Sequence, residues 1–466
     1  MSQPKSFAPI LDGESDVHRY STPLERRVQR ILSPFDDFVR DQVAASIMLF
    51  ACTVLALVLI NSPLTQYYQA LVTFTLGFVF NSHILTFTLH QLVNDGLLVL
   101  FFFILGLEIK RELMVGELAN PQRASIVFVG ALGGMLMPAS LFVLFNYDQS
   151  YASAWGIPIA TDTAFALGIL LLLRKRIPRI LMTFFATMAV VDDIGAVMVI
   201  AFFYTPVIEW VYLITGLSLW LVLIFINFSG VRNAFIYLFI GIVIWYMIES
   251  AGLHASIAGV LVAFTIPARP KTGPRIFVDK VRSLLTRFEE KHQYYNKMVL
   301  EDEMQHEILQ EVELVTRHAS TPLQRWATAM EKPVALFVLP LFALVNAGVI
   351  LDNQVIMTVF SQSLGLSIIT SLVLGKFLGV AGFTWLALKL GLGHLPGGMT
   401  LRHVIGVSFL CGMGFTMSIF IAGLSFTSPE EASLLAIAKI SVMIASLLAG
   451  ILGYFWLRFY CKPINP

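Results

Sequence analysis

The strongest constraint on this chain is a succession of apolar runs, each approaching the length needed to cross a lipid bilayer. A spanning helix needs about 20 mostly apolar residues. With 57% hydrophobic and 13% charged residues, the composition is that of a polytopic membrane protein. About twelve runs are present, at residues 42–62, 88–109, 124–146, 154–174, 180–204, 208–228, 234–250, 253–268, 332–351, 364–388, 403–427 and 433–459. We predict an all-α transmembrane domain over residues 42–460, preceded by a tail at residues 1–41.

Positive charge in the loops between these runs predicts the topology. Lysine and arginine precede the first run and follow every second run, whereas the intervening loops carry acidic residues and essentially no basic ones. The positive-inside rule then requires an even number of spans, with both termini in the cytoplasm. The formal net charge of +1 indicates no nucleic-acid partner.

Two segments between the runs have patterns of their own. Within residues 65–87, apolar residues alternate along the chain up to a turn at Asn81 and Ser82. This pattern predicts a β-hairpin outside the membrane. Residues 269–331 form a long cytoplasmic loop, in which helical spacing predicts two amphipathic helices. The apolar positions of those helices are Val278, Val281, Leu284, Leu285 and Phe288, then Ile308, Leu309, Val312 and Val315.

Few ionisable residues fall inside the apolar runs. Four lie near the middle of a run: Asp162, Asp192, Asp193 and Lys376. Charged groups at that depth are costly and normally serve an ion or proton path. The alternative, a purely structural buried ion pair, is disfavoured because desolvation commonly cancels the attraction. Asp95 and His254 lie nearer the ends of their runs, where a hydrogen-bonding or packing role is the alternative.

These carboxylates predict a cation site. Hard cations such as Na⁺ prefer carboxylate, hydroxyl and carbonyl oxygens, which Asp162, Asp193 and Thr161 can supply. Protonation removes the charge that the cation needs, so protons and the cation compete for one site. A single site that is exposed alternately to each side of the membrane is sufficient for antiport.

Interruptions in two of the runs predict broken helices at that site. Pro158 and the threonines beside Asp162 interrupt the fourth run, and a Gly-x-Gly at Gly412–Gly414 interrupts the eleventh. Irregular backbone at this depth is tolerated where it lines a cavity or is buried in protein. Paired interruptions in corresponding halves mark the central site of many transporters, so we expect inverted repeats over runs 3–5 and 10–12.

Several motifs resemble those of the NhaA family of bacterial Na⁺/H⁺ antiporters, for which inverted repeats are a known feature. They are ATDTAFALG at 160–168, VDDIGA at 191–196, FILGLEIKREL at 103–113, NAGV at 346–349 and CGMGFTMSIF at 411–420. The resemblance extends from about Arg40 to Arg458. It implies electrogenic exchange of cytoplasmic Na⁺ or Li⁺ for a larger number of external protons, at a pH-regulated rate. It also implies a multi-pass protein of the bacterial inner membrane, without enzymatic activity or a cofactor beyond the transported ions.

The resemblance further implies residue roles. Asp193 and Asp162 bind Na⁺ or Li⁺ with Thr161 beside them, and Asp192 pairs with Lys376 in a switch that opens when the site changes state. Asp95 is a supporting acid, and the hairpin at 65–87 is a homodimer contact. The residues linked to pH response are Glu108, Lys110, Arg111, Glu112 and His254.

The chain departs from the family pattern in three places. The cytoplasmic start of the ninth run, Arg325–Lys332, lacks the usual Glu/His cluster, which leaves the set point of pH regulation open. Phe377 follows the central lysine where a proline can stand, and residues 269–325 are longer than usual.

Two other functions remain open from the residues alone. An intramembrane aspartyl protease also needs two aspartates on facing spans, but its Gly-x-Gly-Asp signature is absent from this sequence. A passive cation channel would use the same carboxylates without exchange at a fixed stoichiometry.

Overall fold

The computed structural model describes residues 42–80, 83–205, 208–292 and 303–461, and these are mostly helical. The first part of the chain forms α1 (Gln42–Ile60), α2 (Thr65–Val72), β1 (Thr75–Phe80), β2 (His83–Thr88), α3 (Leu89–Val115), α4 (Pro121–Asn146), α5 (Thr163–Leu172), α6 (Arg179–Phe203), α7 (Trp210–Phe228), α8 (Ala234–Ser250) and α9 (Ala255–Thr265). The second part forms α10 (Pro274–His292), α11 (Glu303–Ala319), α12 (Pro322–Asn346), α13 (Asn353–Ser361), α14 (Ser363–Lys389), α15 (Leu401–Leu410), α16 (Phe415–Ser425) and α17 (Ala432–Tyr460). Short 3₁₀ turns lie at Glu117–Ala119, Ser150–Gly156 and Pro429–Glu431. The predicted tail at residues 1–41 lies outside the described residues.

The helices confirm the all-α polytopic class. Within the described residues, eight helices are long and apolar enough to cross a membrane: α1, α3, α4, α6, α7, α12, α14 and α17. The pair α15 and α16, bent by 45°, makes a ninth if it is counted as one span. The helices α5, α8 and α9 are apolar but shorter. Each predicted run therefore contains one of these helices or the bent pair, and the number of twelve spans stays a prediction.

The hairpin prediction was right for the strands and wrong for the residues before them. β1 and β2 pair in antiparallel register, from Thr75 opposite Thr88 to Phe80 opposite His83. Residues 65–72 form α2 instead of strand, because a helix lets Tyr68 reach α12, where its hydroxyl donates to Leu344 O at 2.8 Å. The predicted turn at Asn81–Ser82 lies outside the described residues.

The helices α4 and α14 touch through facing glycines. A Cβ added to Gly379 would lie 2.6 Å from the carbonyl carbon of Gly133. One turn earlier on α14, a Cβ on Gly375 would lie 2.8 Å from Pro138 Cα. Small residues at this spacing let helix backbones come into contact. The contact holds α14, and with it the central Lys376, against α4.

Replacing one of these glycines should destabilise the protein. Gly379→Ala forces the two backbones apart, and overpacking of this kind typically costs about 1–3 kcal/mol of unfolding free energy. Gly382→Ala, on the same helix, is the matched control because nothing lies within 4 Å of its added Cβ. Thermal unfolding of the purified variants in detergent measures the difference. Equal melting temperatures for the two variants would contradict the glycine contact.

The long loop between α9 and α12 contains a helical hairpin with its own apolar core. Both predicted amphipathic helices are present, as α10 and α11. Their contact buries Leu284, Ile308 and Val315, with Phe277, Val281, Phe288 and Val312 packed around them. Residues 322–331, which the sequence placed in the loop, form the beginning of α12 instead. The hairpin core is separate from the two larger apolar cores of the bundle.

Candidate functional site

The two interrupted segments meet where their helices stop. Residues 160–162 are extended before α5 begins, and residues 411–414 break the helix between α15 and α16. The Asp162 amide donates to Met413 O at 2.6 Å, and Ser418 Oγ donates to Ile157 O at 2.7 Å. Gly414 is needed here, because an added Cβ would lie 3.0 Å from Ala160 O. Backbone carbonyl groups near each break therefore accept hydrogen bonds from the other interrupted segment.

Asp162 caps both half-helices at this crossing. It is 2% exposed, and its Oδ1 accepts from the Phe165 amide at 3.1 Å, which caps α5. Its Oδ2 accepts from the Thr416 amide at 3.0 Å and from Thr416 Oγ1 at 2.6 Å, at the start of α16. Helix N-termini carry partial positive charge and unpaired N–H groups, so one carboxylate stabilises both.

Asp192 and Lys376 form a buried ion pair between α6 and α14. Lys376 Nζ donates to Asp192 Oδ2, and the Lys376 side chain is fully buried. Thr161 joins the pair: its Oγ1 lies 2.5 Å from Asp192 Oδ2, 3.0 Å from Lys376 Nζ and 2.9 Å from Cys411 O. A π-helical turn, Ser371–Gly375, immediately precedes Lys376. Such turns often occur at functional sites.

Asp193 differs from both other aspartates in its hydrogen bonding. It is 3% exposed on α6, and its Oδ1 has no hydrogen-bond partner among the described residues. Asp192 Oδ1 also lacks a partner there, but Asp192 Oδ2 is held by Lys376 and Thr161. Adjacent residues of a helix point about 100° apart, so Asp193 and Asp192 face different surroundings. A buried carboxylate oxygen without a donor is costly unless it binds a proton or a cation. Asp193 is thus the carboxylate best placed to exchange one for the other.

A second group of charges lies at the C-terminal end of α3. Arg111 Nη2 lies 3.2 Å from Glu108 Oε1 and 3.5 Å from Glu112 Oε1. Thr187 Oγ1 of α6 lies 3.5 Å from Glu112 Oε2. Thr187 comes six residues before Asp193 on the same helix, which is about 9 Å along the helix axis. Lys110 points elsewhere, and its Nζ donates to Phe264 O at 2.7 Å and Ile266 O at 2.6 Å, at the end of α9.

Asp95 and His254 lie at the opposite end of the bundle. They line a cavity of about 490 Å³ together with Glu249 and several hydroxyl side chains. His254 Nε2 is 3.8 Å from Asp95 Oδ1, and its ring packs edge-on against Phe420 at 4.8 Å between centroids. Phe420 is one turn after Thr416 on α16, so His254 contacts the half-helix that Asp162 caps.

Comparison with known proteins identifies the family. The model of the family described as Na⁺/H⁺ antiporter 1 matches residues 36–457. The Na⁺/H⁺ antiporter NhaA 1 of Saccharophagus degradans is 41% identical over 455 residues, covering 98% of this chain and 96% of that protein. The chain belongs to the Na⁺/H⁺ antiporter 1 family.

Two further relatives agree. The Na⁺/H⁺ antiporter NhaA 1 of Shewanella denitrificans is 43% identical over 436 residues, covering 94% of this chain and 96% of that protein. The Na⁺/H⁺ antiporter NhaA of Sulfurimonas denitrificans is 41% identical over 443 residues, covering 95% of this chain and 99% of that protein. The predicted NhaA resemblance is therefore confirmed, and with it membership of a Na⁺/H⁺ antiporter family.

The antiporter fold brings some of the predicted site residues together and separates others. Thr161 contacts the Asp192–Lys376 pair, whereas the sequence placed it beside the cation ligands Asp162 and Asp193. Thr416 received no individual role from the sequence, although it supplies two of the donors to Asp162. The hydroxyl-rich stretch after Gly412–Gly414 was the available signal. Which hydroxyl faces Asp162 depends on how the two breaks cross.

Removing the Thr416 hydroxyl should weaken this crossing. Thr416→Val leaves one oxygen of the buried Asp162 carboxylate short of a donor, which costs about 1–3 kcal/mol of unfolding free energy. Thr416→Ser keeps the donor and should stay close to the wild type. Thermal unfolding in detergent compares the two variants. An equally small effect of both substitutions would show that the hydroxyl does not support the capped carboxylate.

Proposed function

We propose that this antiporter exports cytoplasmic Na⁺ or Li⁺ in exchange for a larger number of external protons, and that Asp193 is the carboxylate at which they compete. The observation that carries this proposal is the buried Asp193 Oδ1 without a donor, beside an Asp192 that Lys376 already neutralises. Asp162 completes the proposed cation site from the crossing. Its carboxylate is engaged by three donors, so it positions the half-helices as well as adding negative charge.

The Asp192–Lys376 pair is proposed to be the switch. While Lys376 is held by Asp192 and Thr161, the charges of Asp192 and Lys376 cancel, and Asp193 and Asp162 supply the negative charge of the site. Parting of the pair returns a negative charge to Asp192 and frees a proton-carrying ammonium. Two groups that change partners allow more than one proton to move per cation, which makes the exchange electrogenic.

The pH response is proposed to depend on Glu108, Arg111 and Glu112, with Lys110 holding α9 and His254 contacting α16. Arg111→Gln removes the cation that lies between the two glutamates, so the repulsion between them increases. The pH profile of exchange should shift along the pH axis with little change in maximum rate. Lys389→Gln, at a basic position away from this group, is the control. An unshifted profile in Arg111→Gln would remove this group from pH regulation.

The remaining expectations complete the proposal. We propose that the protein lies in the bacterial inner membrane with both termini cytoplasmic, and that the β1–β2 hairpin is a contact in a homodimer. It has no enzymatic activity and no cofactor beyond the transported Na⁺, Li⁺ and H⁺.

Exchange in proteoliposomes tests the proposal against its rivals. Adding Na⁺ or Li⁺ should collapse an imposed pH gradient reported by a dye, and K⁺ should do so less. A conductance that persists without a proton gradient would favour a passive channel. Peptide cleavage by the purified protein that survives Asp193→Asn would favour an intramembrane protease.

A further inference from the structure

Charge is distributed unequally over the cytoplasmic hairpin. The described side chains of α10 include the exposed cations Arg275, Lys280, Arg282 and Arg287 and a single exposed acid, Asp279. The described side chains of α11 include exposed acids at Glu307, Glu311 and Glu313, with one arginine, Arg317. Arg317 pairs with Glu313 within its own helix at 3.5 Å. The basic helix is therefore the one that follows the apolar helix α9, which lies in a predicted span.

Arginine and apolar residues alternate along one stripe of α10. Arg275, Val278, Arg282 and Leu285 are spaced by three, four and three residues, which places them on one side of the helix. Val278 is 49% exposed and Leu285 is 53% exposed, although both are apolar. The core of the hairpin uses other positions, among them Phe277, Val281 and Leu284. The stripe is a second amphipathic surface that the α10–α11 contact does not cover.

The arginines of this stripe have no ionic partner in the described parts of the chain. Neither Arg275 nor Arg282 forms an ion pair with a side chain that the structure describes. Their guanidinium groups are thus free to bind oxyanions, for which planar, two-pronged donors are well suited.

The stripe is tethered close to the membrane. α9 ends at Thr265 and α10 begins at Pro274, so the connecting segment spans about 30 Å at most even when fully extended. That segment contains two more cations, Arg269 and Lys271. Basic residues clustered directly after a transmembrane helix are attracted to the anionic lipids of the cytoplasmic leaflet.

We propose that α10 is a lipid-binding helix, whose stripe Arg275–Val278–Arg282–Leu285 binds anionic phospholipids at the cytoplasmic surface. The two arginines hold lipid phosphates, and Val278 and Leu285 enter the boundary between headgroups and acyl chains. Helices that lie in this interface combine basic and apolar residues in this way. A second copy of the same stripe would fit less well, because it would place arginine against arginine. The proposal does not depend on which residues carry transport.

A fluorescent label on the full-length protein tests this contact directly. Leu285→Cys, labelled with an environment-sensitive dye, is compared in nanodiscs of phosphatidylcholine alone and nanodiscs that also contain phosphatidylglycerol. Ser283→Cys is the matched control, because it is exposed and lies about 200° away around the helix. The unsubstituted chain measures background labelling of Cys52, Cys411 and Cys461. We expect quenching by brominated lipid at Leu285→Cys only, and only with phosphatidylglycerol.

Charge variants then separate lipid binding from other contacts. The variants Arg275→Gln and Arg282→Gln should each weaken binding of the stripe to the anionic lipid about five-fold. Lysine at either position should largely preserve this binding. Equal quenching at both labelled positions, or quenching that is unchanged in phosphatidylcholine alone, would overturn the proposal. A label at Leu285→Cys that is shielded from water equally in lipid-free detergent would also overturn it, and would indicate a protein contact. Na⁺-driven exchange, measured separately, reports on the transport proposal alone.

Discussion

Asp193→Asn should reduce Na⁺-driven proton movement in proteoliposomes to the level of protein-free liposomes. The amide keeps the size of the side chain but can neither hold a negative charge for the cation nor take up and release a proton. Because Asp162 is held by three donors and Asp192 by Lys376, no other carboxylate of the proposed site replaces this function. The change should leave the fold intact, since the Asp193 Oδ1 makes no hydrogen bond in the described structure.

Asp193→Glu is the matched control for this result. Glutamate keeps both the charge and the proton but lengthens the side chain in a buried site, so exchange should be reduced yet measurable. Normal exchange by Asp193→Asn would move the cation site elsewhere. Melting temperatures of both variants establish that any loss of exchange is not a loss of folded protein.

Lys376→Met should be the most destabilising of the single substitutions at the site. It leaves Asp192 charged and buried without its partner, and breaking a buried pair in this way costs about 3–5 kcal/mol of unfolding free energy. Thr161 alone does not compensate, because a hydroxyl offers one donor and no charge. The same variant should also lose the normal pH dependence of exchange, because the switch has lost its cation.

The double variant Asp192→Asn with Lys376→Met separates these two effects. Replacing both partners removes the buried charge, so most of the lost stability should return. Exchange should remain altered, because neither half of the switch is present. If the single and double variants melt at the same temperature as the wild type, Asp192 and Lys376 do not form the pair on which the switch depends.

Hydropathy predicts the helices of the bundle well because membrane insertion depends on the same quantity, whereas the orientation inferred from loop charge stays a prediction. The predicted run 180–204 corresponds to α6 at Arg179–Phe203, and the predicted breaks near Pro158 and Gly412–Gly414 are present. The Asp192–Lys376 pairing was implied by the family resemblance, since spacing along the chain does not connect residues on two distant helices.

Other features depend on contacts that sequence patterns do not encode. Asp162 caps two helices at once only because the breaks cross, and Thr161 joins the Asp192–Lys376 pair for the same reason. Sequence patterns assign residues 65–72 to the hairpin because the residues after them alternate like a strand, yet they form a helix from which Tyr68 packs on α12. In each case, a tertiary contact decides between two locally acceptable conformations.

The dependence of Na⁺ binding on pH tests the central claim most directly. If protons and Na⁺ compete for Asp193, lowering the pH should weaken Na⁺ binding. The apparent affinity of the purified protein for Na⁺ should fall about tenfold for each unit by which the pH is lowered, over the range in which that carboxyl is protonated. Calorimetric titration in detergent at a series of pH values measures this slope, with Asp193→Asn expected to bind no Na⁺ at any pH. An affinity that does not change with pH, or Na⁺ binding that survives in Asp193→Asn, would contradict competition at this residue.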